Sequence, residues 1–265
     1  MYSAGQLAIK YLKYYFSAAN GKGHGMHSPF VFEFIQKVLN DKSHFSSYEK
    51  VEALRGRMRA DSTLLTIEDM GAGSAVDSSR QRTIASIARS AAKPRKFGQL
   101  LHRMVRYYRP QTILELGSSL GITSAYLALG NPGAELITME GATEVASIAR
   151  NNLKDLSISN TRLIEGNFDQ TLGPLLKEKR QVDFAFMDGN HRQSPTERYF
   201  NQLMQVMGND SMLIVDDIHW SREMEQAWKT IQSDQRVKCT IDLFFIGIVL
   251  FRSEFKEKQQ FVIKF

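Results

Sequence analysis

Residues Thr112 to Ser124 read TILELGSSLGITS, an apolar run that carries an acid at Glu115 and opens onto a loop with glycines at Gly117 and Gly121. The pattern predicts a buried parallel strand, a tight turn and a helix whose first backbone N–H groups face a ligand rather than a carbonyl of their own helix. Nineteen residues beyond Gly121, a second apolar run, Leu136 to Met139, ends in Glu140. A carboxylate at that offset suits the two hydroxyls of a ribose. The stretch therefore predicts a ligand that carries a nucleoside.

The glycine spacing narrows that ligand. A dinucleotide needs G-x-G-x-x-G so that backbone can approach a pyrophosphate, whereas the chain has Glu115-x-Gly117-x-x-x-Gly121. A nicotinamide dehydrogenase is thus the least favoured enzyme. A second glycine loop, Ile67 to Ser74 (IEDMGAGS), also follows an apolar residue and an acid. Downstream of it come a helical, basic segment and Lys93-Pro94-Arg95-Lys96, not an apolar strand ending in an acid. It reads as an ordinary turn or a loop near a substrate mouth.

With 265 residues and 43% hydrophobic content, the chain can bury one good core and a small appended unit. Its longest apolar run, Leu243 to Phe251, falls far short of the roughly 20 residues that span a bilayer. No secretory leader is expected, no membrane partner is expected, and the default address is cytoplasmic. A lone cysteine, Cys239, excludes a disulfide framework and a thiolate zinc site and reads as a small buried hydrophobe. The net charge of +6 is concentrated between Ser78 and Gln111, where nine Lys or Arg residues occur without an acid. Such a segment can steer an anionic substrate, a nucleic acid or an acidic surface; the simpler reading is two helices with solvated basic faces.

The first 110 residues read as a helical region. Helices are expected over Gln6–Ala19, over Phe30–Leu39 behind the Ser28-Pro29 start, and from the Ser46-Ser47-Tyr48-Glu49 capping box to about Ala60. Two more are expected over Ser79–Ala92 and Phe97–Tyr108. His24 and His27 flank a glycine without nearby cysteine or acid, and they read as loop residues rather than metal ligands. From Thr112 onward strands and helices alternate, with strands near Thr112–Leu116, Glu135–Met139, Thr161–Glu165, Val182–Met187, Ser211–Val215, Lys238–Phe244 and Gly247–Phe251. Crossover helices are expected at Ile122–Leu129, Thr143–Leu156, Pro195–Val206 and Ser221–Ile231. The alternation predicts an α/β fold with a doubly wound, mostly parallel sheet of seven strands closed by an antiparallel hairpin. Gln259–Phe265 is a candidate extra edge strand. The expected division is a helical cap over 1–110 and a ligand-binding domain over 111–265.

The fourth strand ends Phe184-Ala185-Phe186-Met187-Asp188-Gly189-Asn190-His191 and the fifth ends Leu213-Ile214-Val215-Asp216-Asp217-Ile218-His219. Asp188, Asp216 and Asp217 thus emerge where buried parallel strands finish, the edge at which such sheets bind ligands. Like charges gathered there cost free energy unless a cation joins them, which points to a hard divalent ion, magnesium first. His191 is the candidate general base, and His219 the reserve.

The E-x-G-x-x-x-G loop after a strand resembles motif I of the class I S-adenosylmethionine-dependent methyltransferases, over residues 111 to the end. Asp188-Gly189-Asn190-His191 and Asp216-Asp217 resemble the metal site of the cation-dependent O-methyltransferases. The macrolide-sugar type matches residue by residue, whereas the catechol type has lysine where His191 stands and asparagine where Asp217 stands. The resemblance implies a Rossmann-like fold with S-adenosylmethionine and a divalent cation as cofactors. It also implies cofactor contacts from Glu115 to the methionyl amino group, from Gly117, Ser118 and Gly121 through the loop, and from Thr123 to the carboxylate. Glu140 and Gly141 fall at the ribose, Asn167 and Phe168 at the adenine, and Asp188 beside the donor. The acceptor it implies is a small hydroxylated molecule. An RNA or protein acceptor docked on the basic segment, and a non-catalytic scaffold, are the alternatives; a homodimer is what related enzymes suggest.

Overall fold

The computed structural model describes residues 1–23, 25–67 and 81–265. His24 and the glycine loop after Ile67 lie outside the described residues.

The chain opens with α1 (Ala4–Ser17), started by a capping box in which Ser3 accepts from the Gln6 N–H and Gln6 returns to the Ser3 N–H. Ser28 caps α2 (Pro29–Phe34), with Pro29 at its first position, where a missing N–H costs nothing. A π-type turn, Ile35–Leu39, completes that helix. Next comes α3 (Ser46–Ala60), which buries Tyr48, Val51, Leu54 and Met58 at helical spacing. The expected capping box there is not formed: Phe45 is the cap residue without a side-chain bond, and Ser47 Oγ instead meets His102 Nε2 at 2.9 Å. β1 (Leu64–Thr66) pairs antiparallel with β2 (Gln81–Thr83), a small two-stranded sheet that the sequence pattern did not predict. Two helices follow, α4 (Ile84–Ser90) and α5 (Arg95–Tyr108).

Alternation then begins with β3 (Thr112–Leu116), α6 (Ile122–Gly130), β4 (Glu135–Glu140), α7 (Thr143–Asp155) and β5 (Thr161–Glu165). It continues through α8 (Phe168–Glu178), β6 (Phe184–Met187), α9 (Gln193–Leu203), β7 (Met212–Asp216) and α10 (Arg222–Ser233). β8 (Cys239–Asp242), β9 (Ile246–Leu250) and β10 (Gln259–Val262) close the chain. The strands form an eight-stranded sheet in the order β10-β8-β9-β7-β6-β3-β4-β5. β8 and β9 make the expected antiparallel hairpin, and the extra edge strand is present as β10, parallel to β8. α8 is a helix that the sequence reading left out, because Gly173-Pro174 looks like a break; Leu172, Leu175 and Leu176 are nevertheless buried along it.

By contact density the chain falls into two compact units, residues 42–178 and residues 1–41 with 179–265. In the first, β3, β4 and β5 run parallel, with Leu114 opposite Ile137 and Ile137 opposite Arg162. Gly98 on α5 and Gly130 at the end of α6 allow close packing, since a Cβ would sit 2.6 Å from the Tyr126 ring and 2.9 Å from the His102 carbonyl oxygen. Burial, then the nearby Arg106 and Arg103, push the His102 imidazole down to about 4, so it stays neutral inside. In the second unit β6 and β7 are parallel, β9 is antiparallel to both β7 and β8, and Gly247 leaves room for the Trp228 ring, which a Cβ would meet at 2.5 Å. Cys239 is buried in β8, and burial pushes its thiol up to about 12, so it is an inert hydrophobe.

Candidate active site

In the 42–178 unit the loop after β3 is built from backbone that only glycine adopts without strain. Gly117 has φ +103° and Gly121, which opens α6, has φ +78°. A Cβ at Gly121 would meet the Ala149 backbone at 3.2 Å, so a side chain there is excluded twice over. The N–H groups of Gly117 and Ser118 both donate to the Met139 carbonyl at 2.9 Å, which ties the loop to the end of β4.

Beneath the loop lies a hydroxyl cluster. Glu115 is fully buried, and its Oε2 accepts from Thr138 Oγ1 at 2.6 Å and from Ser124 Oγ. Ser118 Oγ also meets Thr138 Oγ1. Glu115 is thus held inside the protein, where it links the strand, the next strand and the first turn of α6. Thr123 is buried in that turn. Glu140 is the loop's other anchor: Oε2 accepts the Ser119 N–H at 2.8 Å and Oε1 accepts the Ala142 N–H at 3.0 Å, so Gly141 is bridged by the carboxylate beside it. Ser119 has φ +47°, a left-handed turn that points its N–H back to Glu140. After β5, Gly166 (φ +124°) donates to the Glu140 carbonyl. Asn167 Oδ1 accepts from the Asp169 N–H at 2.9 Å and so starts α8, with half-buried Phe168 next to it.

In the other unit Asp188, His191 and Asp216 converge after β6 and β7, each offering a ligand atom within 4.8 Å of the others. His191 Nε2 is 3.4 Å from Asp188 Oδ1, and the Trp220 ring meets the imidazole edge-on at 5.4 Å. Asp216 is fully buried, and the other two are half-buried. The two carboxylates at this separation offer oxygen ligands to a hard divalent cation, and the imidazole stands beside them. Asp217 is not a member of this trio. Its backbone turns left-handed, φ +52°, with the N–H on the Phe245 carbonyl at 2.7 Å.

His219 is engaged elsewhere. Its Nε2 lies 2.8 Å from Asp242 Oδ2 and its Nδ1 3.2 Å from Glu225 Oε1. Carboxylates only accept, so both ring nitrogens must donate and the imidazole has no lone pair left for a substrate proton. That removes the reserve base from the sequence reading. Glu225 also accepts from Lys10 Nζ at 2.8 Å and Tyr2 Oη at 2.7 Å, which fastens α1 to this network. Burial works against the His219 charge, but Asp242 and Glu225 outweigh it and hold the imidazole above its usual value of 6.5. Burial likewise opposes the Glu225 charge, but Lys10, Tyr2 and His219 hold it below 4.5. A raised His219 stabilises fully below its unfolded value and loses that contribution as pH rises through the folded one; a lowered Glu225 does the reverse on the acid side. The network's contribution to stability is therefore greatest between pH 4.5 and 6.5. The melting temperature is expected to fall from pH 6 to alkaline pH, and His219→Gln is expected to flatten that fall in scanning fluorimetry. Identical slopes in both proteins would remove the network from the account.

Several cations of the basic segment are used within the fold. Arg82 donates to Ser86 and Ser90, Arg89 donates to the Arg59 carbonyl, and the Arg106 guanidinium covers the Phe45 ring at 4.6 Å.

Residues 114–218, from β3 through the end of β7, match the family model described as a methyltransferase domain. That stretch is similar to a methyltransferase domain. Over 95 residues it is 37% identical to catechol O-methyltransferase of Mus musculus, a match covering 34% of this chain and 36% of the mouse enzyme. The chain thus spans about a third of the length of that curated relative. Among solved structures, the fold is shared with the SAH-bound methyltransferase PaMTH1 of Podospora anserina (TM-score 0.60, 15% identity, 85% of this chain and 97% of that one). It is also shared with the O-methyltransferase of Bacillus cereus in complex with SAH (TM-score 0.55, 19% identity, 83% and 97%). No helix among the described residues is long and apolar enough to cross a membrane.

Proposed function

We propose that the chain is an S-adenosylmethionine-dependent O-methyltransferase that works with a divalent cation, magnesium first, on a small hydroxylated molecule. The observation that carries the reading is the Asp188–His191–Asp216 trio at the ends of two buried parallel strands, on a chain that also holds the Gly117–Gly121 loop and Glu140.

When bound, S-adenosylmethionine supplies an activated methyl group, and the cation lowers the pKa of a coordinated hydroxyl. The remaining work falls to the protein. Gly117 and Gly121 keep side chains out of the loop, so that backbone comes close to the amino-acid part of the cofactor, with Ser118 and Thr123 alongside. Glu115 fixes the loop from below through Thr138 and Ser124. Glu140, oriented by two backbone N–H groups, accepts from the ribose hydroxyls. Asn167 and Phe168 border the adenine. Asp188 and Asp216 would hold the cation. His191 Nε2 takes the acceptor's proton, its ring plane set by Trp220. Cofactor binding and chemistry are assigned to 111–265 and acceptor selection to the helical segment 1–110.

Titration calorimetry of the whole protein tests this reading. S-adenosylmethionine is expected to bind at micromolar level, and a mass shift of one methyl group is expected on catechols or hydroxylated sugars when magnesium is added. Absence of binding heat with S-adenosylmethionine would overturn the proposal; cofactor binding with transfer to RNA instead would move the acceptor to the basic segment. Such RNA binding would weaken steeply with salt.

A further inference from the structure

We propose that the outward face of α1 docks on an anionic lipid surface. α1 is apolar on two opposite faces. Inward, Tyr14 is buried and donates to the Ile263 carbonyl, Tyr11 packs edge-on against Phe244 at 5.1 Å, and Lys10 binds Glu225. These contacts fix the helix, so its other face cannot turn into the protein. That other face carries Ile9, Leu12 and Phe16, spaced i, i+3 and i+7, and they are 58%, 53% and 80% exposed. Three large hydrophobes in one helical row are a contiguous patch, unlike the single exposed apolar residues that any surface carries. Lys13 and Ser17 complete a shallow concavity with them.

Charge selects the occupant. Residues 1–32 contain Lys10, Lys13 and Lys22 and no acid. Lys13 lies within the apolar row, and Lys264 sits over the exposed ring of Tyr15 at 4.8 Å. A second copy laid on this face would bring Lys13 into an apolar contact where α1 itself offers no counter-charge. A bilayer surface accepts the same pattern: Phe, Leu and Ile enter the acyl boundary while lysines reach anionic headgroups. The helix lies on the membrane and does not span it, which amends the expectation of no membrane partner. At its other end, the Tyr2 N–H donates to the Trp220 carbonyl at 3.1 Å, and the Trp220 ring faces His191, so the docked helix is joined to the loop that follows Asp216.

Co-sedimentation of the full chain with phosphatidylcholine vesicles and with mixed phosphatidylcholine–phosphatidylglycerol vesicles tests this. Light scattering on the same samples without lipid gives the oligomeric state. The mixed vesicles are expected to bind the protein at least about tenfold more tightly, with added salt weakening the binding. Lys13→Glu is expected to lower it by about fivefold or more. The double variant L12S/F16S, both positions exposed, is expected to stay folded and lose vesicle binding. No binding to either vesicle, binding unchanged in the double variant, or a wild-type dimer that L12S/F16S converts to monomer would each overturn the proposal; the last would make the row a protein interface.

Discussion

Replacing Asp216 by alanine is expected to raise the melting temperature of the metal-free protein and to abolish the further rise that magnesium gives the wild type. Asp216 is fully buried and shares a 4.8 Å neighbourhood with Asp188 and His191. Two carboxylates so close repel unless a cation lies among them, so removing one relieves the metal-free state and dismantles the metal-bound one. At a cation concentration one hundred times the Kd, the wild type gains about 2.7 kcal/mol that the variant does not. Methyl transfer is expected to fall by at least about 100-fold, since even partners one step removed from a metal cost up to that much. Scanning calorimetry with and without magnesium decides the matter. Equal melting curves for both proteins in both conditions would leave the trio without a metal.

Glu140→Ala is expected to raise the Kd for S-adenosylmethionine by about 10- to 100-fold, the loss of one or two hydrogen bonds to a charged acceptor. The same substitution frees the Ser119 and Ala142 N–H groups, which the carboxylate now holds at 2.8 and 3.0 Å. Glu140→Gln is the more discriminating variant, because its single carbonyl oxygen can keep one of these contacts while the charge is lost. Calorimetric titration of both variants reads the effect directly. Wild-type affinity in both would take Glu140 out of the binding site.

The stretch from β3 to α6 was legible because its signals are local: an apolar run, two glycines at positive φ and a helix start lie within thirteen residues. The rest depended on partners far away in sequence. Ser47 has the right neighbours for a capping box, yet it bonds His102, fifty-five residues on. Gly173-Pro174 reads as a break, but burial of Leu172, Leu175 and Leu176 carries α8 through it. Asp216 and Asp217 are adjacent, but Asp216 ends β7 while the backbone of Asp217 already turns left-handed (φ +52°), and only Asp216 joins the trio. His219 looked like a second base because nothing in its vicinity shows that Asp242 and Lys10-bound Glu225 claim both of its nitrogens.

The division of the chain also orders its birth on the ribosome. Residues 42–178 are one continuous length, whereas the other unit joins 1–41 to 179–265. The middle of the polypeptide therefore has everything it needs to collapse as it emerges. The opening helix, greasy on both flanks, must wait for α10 and Ile263 before Lys10 and Tyr14 find their mates. Chains halted near residue 178 are accordingly the ones expected to be captured by chaperones or to clump, and release of the last eighty-odd residues is the moment at which that hazard ends.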